Sequence, residues 1–256
     1  MSAFPPQIIV ECRAGSLAAA NRFGASAAAG QLEMGWWKRI VTEVAEQDPF
    51  LTFYAAYYGS ANMITGYRLY YMLEYAKASG LKQVILRTDG GFWIEEATRW
   101  LIESGVDQIH LDLGYVGRDL DAQPIFERIG RLETAKHGLG VTKPEVEVET
   151  TGEAESVVRE RLAAHDRSVR VRTRDVRGAG GERVPCRHAF EPCAINWRGE
   201  LVACRFDTRS EFVAGWIGEA TIAGLWSGRH RDLRDRHHAG RFAELPPPCA
   251  DCSYWE

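Results

Sequence analysis

The chain has 256 residues, 45% hydrophobic and 26% charged, with a formal net charge of −4. That suffices for one large α/β domain or a barrel with a small appendage, and gives no footing for a nucleic-acid or anionic-membrane partner. MSAFPPQ lacks the basic and apolar segments of a signal peptide, and no stretch approaches the roughly 20 apolar residues that span a bilayer, so a cytoplasmic location is expected.

From residue 7 to about 173, short β-rich runs alternate with helical patterns. Strands are expected at QIIVE (7–11), FLTFYAAY (50–57), QVILRT (83–88), DQIHLDL (107–113), VEVET (146–150) and SVRVRT (168–173). Between them, helices are expected at 34–47, 65–80, 94–105, 123–138 and 153–165. Their apolar residues recur at three- and four-residue spacing, as in Leu69, Met72, Leu73 and Ala76. Gly80, Gly105 and Gly138 stand where helix C-caps are expected. Repeated strand–helix alternation implies parallel pairing with right-handed crossovers, in an open sheet or a partial barrel. RGAGGERVP (177–185) reads as a linker, dividing the chain into 1–176 and 177–256. Beyond it, AINWRGELVAC (194–204) reads as a hairpin turning at Arg198-Gly199. A helix is expected at 221–240, with its HRDLRDRHH run on a solvated face, before the proline stop LPPPC.

Cys12 stands alone, whereas Cys186, Cys193, Cys204, Cys249 and Cys252 fall within the last 71 residues. In a reducing compartment such clustering points to metal or redox chemistry rather than disulfides. The spacing Cys186-x12-Gly199-x4-Cys204 puts two thiols at the ends of a hairpin, and Cys249-x2-Cys252 adds a pair from a later loop. Four soft ligands around one point suit an iron–sulfur cluster or a four-cysteine zinc site. Cys193 is too close to the turn glycine for this role and reads as a small core residue.

This region, with the glycine segment Gly215–Gly218, the Leu225-Trp226 helix entry, Leu233-Arg234 and the terminal CxxC, resembles the C-terminal module of radical S-adenosylmethionine (SAM) enzymes of the SPASM/twitch group. The stretches EYAKASGLKQVILRTDGG (74–91) and LIESGVDQIHLDL (101–113) resemble the barrel of the same family. The resemblance implies an α/β fold: a partial (β/α)6 TIM-like barrel (1–176) carrying a small hairpin-plus-helix cysteine-rich module (177–256). It further implies one auxiliary [4Fe-4S] cluster on Cys186, Cys204, Cys249 and Cys252. The longer SPASM pattern has further cysteines for a second cluster, and the sequence ends four residues after Cys252, so the shorter twitch arrangement is expected.

The chain departs from the family at the SAM site. Family members carry Cys-x3-Cys-x2-Cys after the first strand, where three thiolates bind a cluster whose fourth iron holds SAM. Here CRAGSLAAANRFGASAAAG places Ser16, Ala20 and Phe23 at those positions, and Cys12 lies directly after the strand. The family's Gly-Gly-Glu-Pro-like segment corresponds to Gly59-Ser60-Ala61-Asn62. Asn62 cannot give the ammonium of SAM the charge-assisted contact of a carboxylate. The expected protein therefore does not cleave SAM.

The first functional reading is a pseudoenzyme, a non-catalytic partner in a heterodimer with an active radical SAM enzyme of a peptide or natural-product pathway. Most of Phe53, Tyr54, Tyr57, Tyr58, Tyr67, Tyr70 and Tyr71 are expected in the core, and a surplus of them on the surface would favour that interface. The alternatives are a stand-alone enzyme using the barrel mouth and a substrate-binding protein stabilised by zinc on the four cysteines. For the enzyme, the candidate groups are Arg87, Asp89, His110, Asp112, Glu149 and Arg172 at strand C-termini, with His110 and Asp112 expected as a mutually satisfied buried pair.

Overall fold

The computed structural model describes residues 3–14, 30–59, 63–113, 123–152, 154–163, 169–174 and 183–252. The elements run β1 (Gln7–Ala14), β2 (Gly30–Gln31), α1 (Met34–Gln47), β3 (Thr52–Tyr57), α2 (Met63–Ala78), β4 (Gln83–Thr88) and α3 (Ala97–Glu103). They continue with β5 (Gln108–Asp112), α4 (Gln123–Leu139), β6 (Glu145–Thr151), α5 (Glu155–Ala163) and β7 (Arg170–Arg174). The C-terminal region adds β8 (Pro192–Ile195), β9 (Glu200–Val202), β10 (Val213–Trp216), α6 (Ile222–Ser227) and α7 (Arg229–His238).

One ten-stranded sheet runs β10-β9-β8-β1-β3-β4-β5-β6-β7, with β2 paired to β1. The six strands β1, β3, β4, β5, β6 and β7 pair in parallel, one after another. A helix follows each of the first five, the parallel strand–helix winding that the alternation implied. After β7 the chain returns to the other side of β1, where β8 pairs in parallel from Gln7↔Pro192 to Val10↔Ile195. The hairpin therefore continues the barrel's own sheet, which crosses the boundary placed at 176/177 without a break. The sheet does not close.

Strand alternation separates two chemistries. The helix-facing side carries Ile8, Val10, Phe53, Ala55, Val84, Leu86, Ile109, Leu111 and Val148, all fully buried in the main core. Trp37 of α1 is anchored there: its indole N–H donates to the Met72 carbonyl at 2.9 Å, and its ring meets Phe53 edge-on at 5.4 Å. Helix ends follow the glycines with one change. Gly80 and Gly105 take positive φ (+102° and +71°) as expected, but α4 runs through Gly138 to Leu139 and the positive φ falls on Gly140 (+66°). The expected helix 221–240 is two helices, broken at Gly228, where a Cβ would lie 2.9 Å from the Gly224 carbonyl oxygen. Glu43 of α1 accepts the Ala223 N–H at 3.2 Å, tying α6 to the barrel.

Glu11 on β1 faces the other side of the sheet and is 3% exposed. It accepts the Trp197 N–H of the hairpin turn at 3.2 Å, while its Oε1 has no hydrogen-bond partner among the described residues. Burial pushes its carboxyl up to about 8, against smaller opposing effects from the Trp197 N–H and Arg198. Between the ordinary carboxylate range and pH 8, the folded chain thus holds a proton that the unfolded chain has lost. Stability must fall as pH rises through that window. Glu11→Gln removes the titration and keeps an acceptor for Trp197. It is expected to add on the order of 2 kcal/mol at pH 8 and nearly nothing at pH 4.5, read from urea midpoints at the two pH values.

Candidate metal centre

The hairpin that positions the first two thiols is set by its turn. Asn196 accepts the N–H groups of Arg198 and Glu200 on its side-chain oxygen, both at 3.0 Å. Gly199 takes φ +79°, and a Cβ there would meet Trp216 Nε1 at 2.9 Å. The turn thus falls at Arg198-Gly199 as the sequence indicated. Cys186 precedes a short 3-10 turn (Arg187–Ala189) leading into β8, and Cys204 follows shortly after β9. Cys249 closes a second 3-10 turn, Pro247–Cys249, and the Cys252 N–H returns to the Cys249 carbonyl at 3.4 Å.

These four cysteines line one cavity of about 390 Å³, and none is in a disulfide. Among the described residues no three His, Cys, Asp or Glu side chains close on a single point as they would around one ion. The thiols instead stand around the wall. Burial pushes the Cys204 thiol well up, and Cys249, Cys186 and Cys252 push it further; Cys249 is raised to about 12, by burial first and then by Cys186 and Cys252. Thiols that oppose one another's ionisation become thiolates together only when cations compensate them. The Phe206 N–H donates to Cys204 Sγ at 3.4 Å, and Asp207 holds the following loop by accepting the Glu211 and Phe212 N–H groups at 2.9 and 3.1 Å.

Two donors on the same wall lack protein partners. His237 accepts the Cys186 N–H on Nδ1 at 3.5 Å, which leaves the ring hydrogen on Nε2, and Nε2 is buried with no partner among the described residues. The Arg183 Nε is buried and equally unpartnered among them. Buried N–H groups are costly when unpaired. Both residues line the cavity. Soft thiols together with two orphaned donors fit an iron–sulfur cluster.

The other two cysteines lie elsewhere. Cys193 on β8 and Cys12 on β1 are fully buried in the helix-side core, and burial raises both thiols far above their ordinary range. The structure corrects the reading of HRDLRDRHH. His230, Leu233, Arg234 and His237 form a buried face of α7. His230 donates to the Ala203 carbonyl at 3.1 Å, accepts from Arg234 at 3.1 Å and stacks on Trp226 at 4.6 Å. Arg234 lies over the same indole at 3.7 Å and donates to the Trp226 carbonyl at 3.0 Å. Polar side chains replace an apolar stripe here because each finds its partner inside the module, next to the residue before Cys204. Arg183 was also missed: it donates to the Cys249 carbonyl and, at 2.9 Å, to the Ala250 carbonyl.

A second cavity, about 370 Å³, lies on the sheet face away from the helices. Tyr54, Arg87, His110, Glu149 and Arg172 reach it from the barrel, and Arg187, His188, Glu191 and Arg205 from the cysteine region. His110 and Asp112 do not pair. His110 bonds Gln108 at 3.1 Å, whereas Arg87 bridges Glu149 at 2.6 Å and Asp112 at 3.9 Å. Burial first, then the Arg87 charge, lowers His110 to about 4, so the ring facing this cavity is neutral. Asp89 takes the Gly59 N–H at 3.3 Å and the Gly91 N–H at 2.9 Å, holding the loops after β3 and β4 together. Ser16, Ala20, Phe23 and Asn62 lie outside the described residues.

Comparison with known proteins extends this picture. Residues 186–253 match the SPASM family, an iron–sulfur cluster-binding domain. No curated protein sequence matches the chain. Among solved structures, the chain is similar to BtrN in complex with AdoMet and 2-DOIA, at TM-score 0.66 and 15% identity, covering 98% of this chain and 94% of that one. It is also similar to anSMEcpe with bound AdoMet and the Cp18Cys peptide, at TM-score 0.58 and 10% identity over 96% and 86% of the two chains. SuiB from Streptococcus suis, bound to S-adenosylmethionine, aligns at TM-score 0.60 and 11% identity over 91% and 68%. Residues 186–253 are therefore similar to the SPASM iron–sulfur cluster-binding domain, and the chain as a whole shares the fold of these three structures.

Proposed function

We propose that the chain carries one [4Fe-4S] cluster on Cys186, Cys204, Cys249 and Cys252, and serves as a non-catalytic accessory subunit to an active radical SAM enzyme that modifies a peptide or natural product. The observation that carries the reading is the distribution of thiols. Four ring the C-terminal cavity, and the barrel's Cys12 points into the helix-side core. From residue 13 to 185 the sequence has no cysteine, so it cannot supply a three-thiolate set for a SAM-activating cluster. Among the described residues only Cys12 and Cys193 remain apart from the four cavity cysteines, which supports one cluster rather than two. Zinc on the same four sulfurs is the lesser alternative.

An accessory role needs a surface for a partner, and α2 supplies one. Ile64 is 80% exposed, Tyr67 56%, Met63 55% and Tyr71 38%. Aromatic residues and methionine are enriched in interfaces. A second reading, an enzyme working without SAM, draws support from the polar cavity with Arg87, neutral His110 and Glu149. Anaerobic reconstitution with iron, sulfide and SAM separates the two. The accessory reading expects about four irons per chain, no 5′-deoxyadenosine alone, and a stable complex with a radical SAM enzyme whose three-cysteine motif is intact. Cleavage of SAM by the isolated chain overturns it, and one zinc per chain overturns the cluster.

A further inference from the structure

We propose that Arg183 is the positioning cation of the C-terminal centre, latching its two halves together and, with His237, favouring the more reduced state of the bound cluster. This rests on the reading of the centre as an iron–sulfur site.

Arg183 stands three residues before Cys186, yet its guanidinium reaches the opposite half of the site. It donates to the carbonyls of Cys249 and Ala250, the first two residues of the CxxC turn, and lies over the Phe242 ring at 5.3 Å. The segment entering Cys186 and the loop carrying Cys249 and Cys252 are more than sixty residues apart in sequence, and this one side chain bridges them. A guanidinium presents its donors in a rigid fork, which a lysine cannot reproduce. Arg183 and His237 both line the cavity, and the Arg183 Nε and His237 Nε2 are buried without protein partners among the described residues. Hydrogen bonds and positive charge beside a cluster's sulfurs raise its potential, since each offsets the added negative charge of reduction.

The test uses the full-length chain, reconstituted anaerobically, in four versions: wild type, Arg183→Met, Arg183→Lys and Arg209→Met. Arg209 lines the same cavity but its side chain is 78% exposed, so it controls for charge at large. Two quantities are read, the rate of iron release to a chelator and the midpoint potential by EPR-monitored titration. Arg183→Met is expected to release iron at least tenfold faster. It should also lower the reduced-to-oxidised ratio about tenfold at fixed potential, which is about 59 mV for one electron. Arg183→Lys keeps the charge and loses the fork, so iron release stays fast while most of the potential is recovered. That split is one that general destabilisation would not produce. His237→Phe is expected to shift the potential in the same direction as Arg183→Met. Arg183→Met matching wild type in both quantities overturns the proposal, as does Arg209→Met shifting the potential equally. If Arg183→Met does not fold, Arg183→Lys with wild-type iron release overturns the latch. A wild-type chain that takes up no iron instead overturns the parent reading.

Discussion

Replacing Cys249 with serine is expected to cut bound iron from about four per chain to less than one and to unfold much of the region around the cavity. Serine is nearly isosteric with cysteine, so the effect comes from the ligand atom. A thiolate holds iron, whereas the far more basic hydroxyl does not give up its proton to do so. The loss spreads because, beyond the Arg183 hydrogen bonds to Cys249 and Ala250, little else gathers this end of the chain. The segment from Leu245 to Cys252 has only one short turn of 3-10 helix, and Leu245 is its buried apolar anchor. Much of the folding free energy of such a segment is metal binding. Iron and sulfide analysis reads the first effect, and limited proteolysis between α7 and the C-terminus reads the second. Cys193→Ala and Cys12→Ala are the controls. Both remove a core sulfur at a cost of about 1–2 kcal/mol and leave iron content unchanged. Full iron content in Cys249→Ser, or its loss in Cys193→Ala, would reassign the ligands.

The contrast between these cysteines shows where the sequence was readable. The hairpin spacing separated Cys186 from Cys193 because a turn fixes distances along two paired strands, and the turn chemistry of Arg198-Gly199 is local. Helix α1 at 34–47 and strand β4 at 83–88 fall on their expected bounds for the same reason: their periodicity and their ends are written in adjacent residues. What escaped was determined by partners remote in sequence. HRDLRDRHH reads as a solvated run because charge is counted by residue type. Burying His230 and Arg234 depends on the Ala203 carbonyl, 27 residues before the histidine, and on the Trp226 indole. Arg183 sits in what reads as a linker, and its partners are 66 and 67 residues away. The pairing of β8 with β1 joins strands about 185 residues apart, so no local pattern could show that the cysteine hairpin continues the barrel's sheet. The helix break falls where Gly228 leaves the helical region at φ −89°, ψ −122°, which residue periodicity does not show.

On the sheet face away from the helices, Arg87→Met is expected to cost about 3–5 kcal/mol at neutral pH. Arg87, Asp112 and Glu149 are 5%, 6% and 8% exposed, and methionine fills the space of the arginine stem while leaving two carboxylates without the cation between them. The penalty belongs to the charges left behind, so it must respond to pH. Removing the cation from between buried carboxylates disfavours their charged forms, so the variant loses stability relative to wild type as pH rises above the carboxylate range. The difference between variant and wild type should therefore shrink as pH approaches 4, and Arg87→Met with Glu149→Gln should recover part of the loss. Urea midpoints across pH 4–8 decide this; a penalty independent of pH would mean that lost packing dominates. The further variant Arg87→Met, Asp112→Leu, Glu149→Leu removes all three charges. Buried ion networks replaced by apolar residues often lose nothing, so this chain is expected to be at least as stable as Arg87→Met alone. If it equals the wild type, the triad contributes no net stability to the barrel. Arg87 and Glu149 would then be explained by the cavity they line, and the SAM-independent reading of that cavity would gain weight over the accessory one.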